Sequence, residues 1–321
     1  MKIKLITGTA NPRLAEEISS YLNTPLTPVE IKKFNDGEIY CKVKQSVRGS
    51  HVFVIQPTSP DTNHNLMELL ILVDALKRAS AEEITAVIPY YGYARQDRKV
   101  GAREPITAKL VANLIMTSGI DRVVTFDLHV DQIQGFFDIP LDNLEAMPLI
   151  AEYILDKQIK DIVVVSPDAG GTARARKLAE LLNASLAIID KRRTKHNETK
   201  VMNIIGEVRN KTAILVDDMI DTGNTMVNAT QSLLENGVIS VYVCATHAVL
   251  SGDVIKRLDS SKINEIITTN TINIPDEKRI KKLKIITVAP LLAESIRRIH
   301  EGTPMGVLFE GLYDKLAKRH I

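Results

Sequence analysis

Short runs of β-branched residues alternate along this chain with segments of helical period. That alternation admits little other than an α/β fold, a mainly parallel sheet flanked by helices. Ile3–Ile6 reads as a strand, and Asn11-Pro12 then supplies an N-cap and a first-turn proline for a helix to Tyr21. Val52–Ile55 is a buried strand. After it, "NLMELLILVDALKRAS" sets Leu66, Leu69, Leu70, Val73 and Leu76 on one face, the spacing of a core-facing helix. Ile84–Ile88 and Arg122–Phe126 are further strands, with a helix from Pro105 to about Met116 between them. The second half repeats the grammar. It has strands at Ile162–Val165, Leu186–Ile189, Ala213–Val216 and Val241–Cys244, and helices at Thr172–Leu182 and Asn224–Glu235.

At 321 residues the chain is long enough for two similar domains, and a boundary near residue 145 divides it into 1–145 and 146–321. The helix "LLAESIRRIH" near the C-terminus can pack on either. "VFVIQPTSPDTNHNLMELL" and "AILVDDMIDTGNTMVNATQSLL" share strand, polar turn and amphipathic helix, with Gln56 and Pro57 where the second has an acidic pair. They read as copies of one unit, one of which has lost its chemistry; chance likeness of two ordinary βα units is the alternative. A net charge of +2 gives no reason to expect nucleic acid or a membrane as a partner. The two cysteines, Cys41 and Cys244, lie far apart without metal-ligand spacing, as small buried hydrophobes of a reducing compartment do. The N-terminus is too briefly apolar for a signal peptide, and no run approaches the roughly 20 apolar residues of a membrane helix. A cytoplasmic protein is expected.

The stretch "AILVDDMIDTGNT" (213–225) concentrates the chemistry. A helix N-terminus carries about half a positive charge, and its first amide N–H groups lack partners. The turn from Asp221 to Thr225 opens such a helix. Gly223 lets backbone approach a ligand, and Thr222 and Thr225 add hydroxyl donors to a phosphate. Asp217 and Asp218, at the carboxyl end of a parallel strand, lie where open α/β sheets bind ligands. Carboxylates there repel phosphate but accept hydrogen bonds from two vicinal ribose hydroxyls. The glycine turn alone is explained by helix capping; with the acidic pair at this spacing a sugar-phosphate ligand is the better reading.

This stretch resembles the phosphoribosyl-diphosphate signature of the type I phosphoribosyltransferase fold. "FNDGE" (34–38), "YGYARQDRK" (91–99), "REPITAK" (103–109), "DLHVDQIQGFF" (127–137), "SPDAGG" (166–171) and "IIDKRR" (188–193) follow in the order of one family. By these motifs the chain resembles the ribose-phosphate diphosphokinases (phosphoribosyl pyrophosphate synthetases) over nearly its whole length. The resemblance implies that ATP and ribose 5-phosphate give 5-phospho-α-D-ribose 1-diphosphate and AMP, with Mg²⁺ as cofactor. Such in-line transfer depends on positioning and on countering spreading negative charge.

The family pattern assigns roles to particular residues. Lys191 and Arg193, in the basic run 190–200, become the stabilisers of the transition state; taken alone, that run is a solvated face, and beside ATP it suits a lid. Thr194 stands where many relatives have proline. Asp217, Asp218, Asp221, Thr222, Gly223, Asn224 and Thr225, with Arg193, become the ribose 5-phosphate site. His129 becomes a contact to Mg-ATP and Asp168 the metal-linked carboxylate, so both count as candidate metal ligands. Their plainer readings are a hydrogen-bonded histidine at a strand end and an Asx cap. Arg95 and Gln96 are assigned to ATP. Phe34, Asp36, Gly37 and Glu38 are assigned to the adenine of a neighbouring subunit's ATP, which implies a homo-oligomer, usually of six chains. Ser46, Arg48 and Ser50 resemble an anion loop of regulated relatives, and Gly101 replaces an arginine those relatives carry. The rival functions are a phosphoribosyltransferase, which has no need of "FNDGE" or "RQDRK", and a non-catalytic regulator, which has no need of Lys191, Arg193, His129 and Asp168.

Overall fold

The structure is a computed structural model that describes residues 1–192 and 201–320; of Lys191, Arg192, Val201, Met202 and His320 it describes the backbone alone. The first half runs β1 (Lys2–Thr7), α1 (Pro12–Leu22), β2 (Val29–Lys33), β3 (Ile39–Val43), β4 (Ser50–Ile55), α2 (Thr62–Arg78), β5 (Glu83–Ile88), α3 (Thr107–Thr117), β6 (Arg122–Phe126), a 3-10 turn at Asp131–Phe136, β7 (Leu141–Leu144) and α4 (Met147–Asp156). The second half keeps that order. It runs β8 (Ile162–Ser166), α5 (Thr172–Leu181), β9 (Ser185–Arg192), β10 (Val201–Ile205), β11 (Thr212–Ile220), α6 (Asn224–Glu235), β12 (Ser240–Ala248), α7 (Val254–Ser260), β13 (Glu265–Thr269), a 3-10 turn at Asp276–Lys278, β14 (Leu283–Ile286) and α8 (Ala289–Glu301). Helix α9 (Gly306–Ala317) follows. The echo between two sequence stretches is thus one piece of a repeat that spans every element of both halves.

The chain divides into two compact units. The first holds Met1–Glu145, Thr271–Asn273 and Thr287–Leu308; the second holds the remaining described residues. By this division α4 belongs to the second unit and α8 to the first, so the closing helix of each repeat serves the other repeat's unit.

In the first unit a parallel sheet of order β1-β4-β5-β6-β7 forms the centre. All six residues of β4 are buried, as a parallel strand covered on both faces requires. Helix α1 starts where Asn11 accepts the Leu14 N–H at 3.3 Å and Pro12 fills the first turn. It packs along α8, where the Thr287 hydroxyl donates to the Glu17 carboxylate. Helix α2 buries Leu66, Leu69, Leu72, Val73 and Leu76, while Leu70 is only partly covered. The antiparallel hairpin β2–β3, which hydrophobic patterning did not reveal, forms a separate two-stranded sheet. Helix α3 begins at Thr107 rather than Pro105, because the Gln96 carbonyl accepts the Ala108 N–H and Pro105-Ile106 stay outside the first turn. Ser50 is the first residue of β4 and 4% exposed, so of the three anion-loop candidates Ser46 and Arg48 are exposed and Ser50 is not.

At the end of β4, Gln56 stands where the other repeat has carboxylates, and the space around it is filled by the chain itself. Glu68 and Gln56 are both fully buried. The Glu68 carboxylate accepts from the Thr9 N–H at 2.6 Å, the Thr9 hydroxyl at 2.8 Å and the Gln56 amide at 2.8 Å. The Ala10 N–H in turn donates to Gln56 Oε1 at 3.2 Å.

The second unit is built on a seven-stranded sheet of order β10-β9-β8-β11-β12-β13-β14, antiparallel only between β10 and β9. Ala213–Val216 at its centre are wholly buried. Three strands run longer than the sequence reading indicates, and one of them is β12, which reaches Ala248 beside β11. β9 continues through Arg192 because Lys191 and Arg192 pair with Met202 and Val201 of β10, so Lys191 lies on a strand and not in a loop. β11 continues through Ile220 because Asp217, Met219 and Ile220 still pair with β12. Among the described residues no helix is long and apolar enough to cross a membrane.

Two expectations about stability follow from the first unit. Removing the Glu68 carboxyl takes an acceptor from the Thr9 N–H and from the buried Gln56 amide, which keeps the Asn65 carbonyl at 3.3 Å, a loss of about 1–3 kcal/mol for each group left dry and unpaired. Glu68→Ala is therefore expected to lower the unfolding free energy by roughly 2 kcal/mol or more, and Met67→Ala, exposed on the same helix, by no more than about 0.5 kcal/mol, both read from urea midpoints. His51 stacks on Phe53 with ring centroids 4.1 Å apart, and its Nε2 lies 2.8 Å from Thr85 Oγ1. Burial, then the neighbouring His300, pushes His51 down to about 4. Above the unfolded value of 6.5 neither state holds the proton; below it the unfolded chain takes a proton that the fold refuses. Stability is expected to fall as pH drops from 6.5 towards 4, and His51→Gln is expected to flatten that part of a urea-midpoint profile.

Candidate active site

From β8 the chain passes through α5 to β9 on one side of the sheet order, and from β11 through α6 to β12 on the other. The order therefore reverses between β8 and β11, and past the carboxyl ends of such a pair the first crossover segments turn apart and leave a crevice. Two segments border it: Ser166–Gly171 after β8, and Asp217–Thr225 at the end of β11.

The register places the acidic pair. β8 pairs with β11 only as far as Val165 and Leu215, whereas β11 remains paired with β12 through Ile220 and Ala248. Asp217 and Asp218 thus belong to a strand yet lie past the paired part of β8. Asp218 is 3% exposed and Asp217 half-buried. The Asp218 N–H donates to Asp217 Oδ1 at 2.9 Å. Arg174, in the first turn of α5, donates from Nη1 to the same Oδ1 at 3.2 Å and lies 3.7 Å from Asp218 Oδ1. Burial pushes the Asp217 carboxyl up to about 7; the charge and hydrogen bonding of Asp218 add to the rise, and Arg174 opposes it. On β12, burial and then Asp217 raise the Cys244 thiol as well. Arg174 did not emerge from sequence reasoning. The available signal is its place: a cation in the first turn of a helix opposes the macrodipole and calls for a nearby carboxylate.

The phosphate-type turn follows without a break. Gly223 is the residue before α6, with φ +73°, and its carbonyl accepts the Val227 N–H at 3.0 Å. A Cβ at Gly223 would lie 2.9 Å from Val254 Cγ2 of α7, so this glycine is needed for packing as well as for its backbone angle. Thr222 and Asn224 are exposed and Thr225 half-buried, so hydroxyls and an amide sit beside the first N–H groups of the helix. The Thr222 carbonyl accepts from Arg257, and the Asp221 carbonyl accepts the Ser251 N–H at 3.1 Å. One strand end and one helix start therefore carry Asp217, Asp218, Asp221, Thr222, Gly223, Asn224 and Thr225 in continuous sequence.

Across the crevice Asp168 is half-buried, and its Oδ1 accepts the Gly171 N–H at 3.1 Å, the cap that opens α5. The Ser166 hydroxyl donates to the Asp168 carbonyl at 2.6 Å. The capping role of Asp168 is thus present in the fold. Among the described residues no three His, Cys, Asp or Glu side chains cluster as a metal site. A hard divalent ion such as Mg²⁺ takes oxygen donors and keeps waters and phosphate oxygens. Asp168, with one oxygen engaged by Gly171, fits as a single oxygen ligand. His129, half-buried after β6, offers a nitrogen and fits a hydrogen bond to phosphate better than a bond to magnesium.

The remaining candidates sit on the first unit or outside the description. Arg95 and Gln96 are exposed after β5, and Gln96 Oε1 accepts from the Thr107 hydroxyl at 2.6 Å, tying this turn to the start of α3. "FNDGE" forms the tip of the β2–β3 hairpin. The Phe34 N–H donates to the Glu38 carbonyl at 2.8 Å, the Glu38 N–H to Asp36 Oδ1 at 3.1 Å, and Gly37 turns at φ +100°. Phe34, Asp36 and Glu38 are all exposed there. Lys191 is placed by its backbone on β9; Arg193, like Thr194, lies outside the described residues.

Comparison with known proteins places the chain. The model of the N-terminal domain of ribose phosphate pyrophosphokinase matches residues 3–119, and that of the phosphoribosyl synthetase-associated domain matches residues 192–310. A ribose-phosphate pyrophosphokinase of Caldanaerobacter subterraneus is 58% identical over 96% of this chain and 98% of its own length. One of Bacillus caldolyticus is 55% identical, with the same coverage of 96% and 98%. The crystal structure of phosphoribosylpyrophosphate synthetase from Mycobacterium smegmatis superposes with a TM-score of 0.90 at 44% identity, over 94% of this chain and 100% of that one. With the acidic pair and the helix start of α6 at a strand-order reversal, these likenesses agree with the fold, and the chain belongs to the ribose-phosphate pyrophosphokinase family.

Proposed function

We propose that this enzyme transfers the diphosphoryl group of ATP to the anomeric hydroxyl of ribose 5-phosphate, giving 5-phospho-α-D-ribose 1-diphosphate and AMP. The observation that carries the reading is the continuous run from Asp217 to Thr225, which offers carboxylates at a strand end and unpaired amides at a helix start. Asp217 and Asp218 accept the vicinal ribose hydroxyls. Thr222, Thr225 and the first N–H groups of α6 receive the 5-phosphate, with Gly223 shaping the turn and Asp221 and Asn224 flanking it.

Other residues are the candidates for the nucleotide. Arg95 and Gln96 suit phosphate and base, because guanidinium holds phosphate or stacks on a ring and an amide both donates and accepts. His129 hydrogen-bonds a phosphate oxygen. Magnesium brought with ATP would offset phosphate charge, and Asp168 would hold it as an oxygen ligand. Lys191 and Arg193 counter the charge that spreads over the β-phosphoryl oxygens as the anomeric oxygen attacks in line. The exposed tip at Phe34, Asp36, Gly37 and Glu38 supports an adenine contact made to another copy's ATP, and hence a homo-oligomer, six chains by family likeness. The cytoplasm is the expected location.

The test is incubation with ATP, Mg²⁺ and ribose 5-phosphate. AMP and phosphoribosyl diphosphate are expected to appear in equal amounts, and base transfer without AMP would instead identify a phosphoribosyltransferase. Lys191→Ala is expected to lower kcat by 10²-fold or more, on the order of one lost electrostatic stabiliser, while the Kd for ATP stays within about threefold. Turnover at the wild-type rate in that variant would remove Lys191 from the chemistry.

A further inference from the structure

Two adjacent carboxylates are a poor pair of acceptors when left to themselves. Sharing a buried site, they tend to hold one proton between them, and a protonated carboxyl turns an acceptor into a donor. A ribose offers two hydroxyl donors, so a pocket that binds it through carboxylates works best with both charged. A third group must therefore be close, and Arg174 is that group. It reaches Asp217 Oδ1 at 3.2 Å and lies 3.7 Å from Asp218 Oδ1. Its own helix does not favour it, because a positive charge in the first turn of α5 works against the dipole.

Every neighbour that bears on Asp217 counts in the same balance. Asp218 on its own strand raises its proton affinity, Arg174 from α5 lowers it, and Cys244 from β12 stays a neutral thiol beside it. The Arg174 bond and the Asp218 N–H both land on Oδ1, so Asp217 is held by two donors through one oxygen while Oδ2 takes part in neither bond.

We propose that Arg174 is a positioning residue for sugar binding: it fixes the Asp217 carboxylate and favours the charged form of the Asp217–Asp218 pair, so that both carboxylates accept from a vicinal diol. This rests on the reading that the pair holds the ribose of ribose 5-phosphate. The Arg174 guanidinium is engaged with the two carboxylates, so its effect is expected on the sugar substrate and not on the nucleotide.

Steady-state kinetics over pH 5.5–9 on the full chain tests this, with wild type, Arg174→Gln, Arg174→Lys and Asp217→Asn compared. In Arg174→Gln the KM for ribose 5-phosphate is expected to rise at least tenfold at pH 7 while the KM for ATP stays within about twofold. The acid limb of kcat/KM for ribose 5-phosphate is expected to move up by about one pH unit, the effect of losing one close opposite charge. Arg174→Lys, which keeps the charge, is expected to return both values most of the way to wild type. A structural salt bridge would move the thermal midpoint but not the acid limb. If Arg174→Gln does not fold, Arg174→Met, which keeps the packing of the stem, carries the same test. An unmoved limb with a wild-type KM, in a variant that folds, overturns the role of Arg174. If Asp217→Asn raises the KM while the arginine variants do not, the pocket stands and only the positioning role falls. If Asp217→Asn also leaves the KM unchanged, the sugar pocket itself is refuted, and this role with it.

Discussion

The chain leaves β8 and β11 in opposite directions, and the rest of the site depends on that divergence. Neighbouring parallel strands whose crossovers run to the same side have their carboxyl ends covered by the connecting segments; where the crossovers part, the ends stay accessible. The divergence exists because β9 and β10 extend the sheet on the far side of β8. It brings the loop after β8 and the end of β11 to the two sides of one crevice. It also brings the first turn of α5, with Arg174, within reach of a carboxylate 43 residues further along the chain.

The first repeat shows what happens without it. There β1 is an edge strand, and the elements that correspond to β9 and β10, namely β2 and β3, form a sheet of their own. The order β1-β4-β5-β6-β7 has no reversal, so the end of β4 has no crevice to serve. The corresponding position carries Gln56, and Glu68 from α2 closes the space with bonds to Gln56 and Thr9. A buried carboxylate is tolerated there because donors of its own chain surround it, which is the condition for burying any charged or polar group. The same change released β2–β3 from the sheet and left a hairpin whose tip exposes Phe34. One duplicated plan thus yields a pocket in one copy and a projecting hairpin in the other, and the difference comes down to where two strands pair.

Local periodicity made most of this readable. The start of α6 at Asn224 and the strand β6 at Arg122–Phe126 were evident from pattern and turn chemistry alone. The apolar stripe of α2 was too, although Leu72 is fully buried and Leu70 only partly so, a slight rotation of the stripe. What stayed hidden depends on pairing at a distance. β11 passes through Asp217 and Asp218 because β12 continues beside it, and two aspartates in sequence do not look like a strand. The β2–β3 hairpin alternates apolar residues with lysine, tyrosine and glutamate on half-exposed strands, a weak signal beside the buried runs. Arg174 looked like one basic residue among several in "TARARK", and only the fold reveals which of them meets the acidic pair.

Charge balance explains why the cations for chemistry have to come from elsewhere. The sugar-phosphate would add close to two negative charges beside an acidic pair that already carries up to two. Against these the pocket sets one guanidinium and a helix start worth about half a charge. On the proposed reading that balance suits a phosphorylated sugar whose charged end is kept at the helix start, away from the carboxylates. It leaves nothing over for a triphosphate arriving at the anomeric carbon. The carboxylates also make the anomeric end the less attractive place for further anions, which helps a bound sugar keep its orientation and hinders the nucleotide from occupying the sugar's place. Stabilising the transferred diphosphoryl group therefore requires positive charge that is not committed to the pocket. The run from Lys191 to Lys195 holds four cationic residues in sequence, and its first, Lys191, lies on β9, the strand that borders β8 on the side away from β11. On the proposed reading the acidic pair and the basic run divide the electrostatics between them: the first discriminates among parts of the sugar, and the second supplies the attraction that the first withholds.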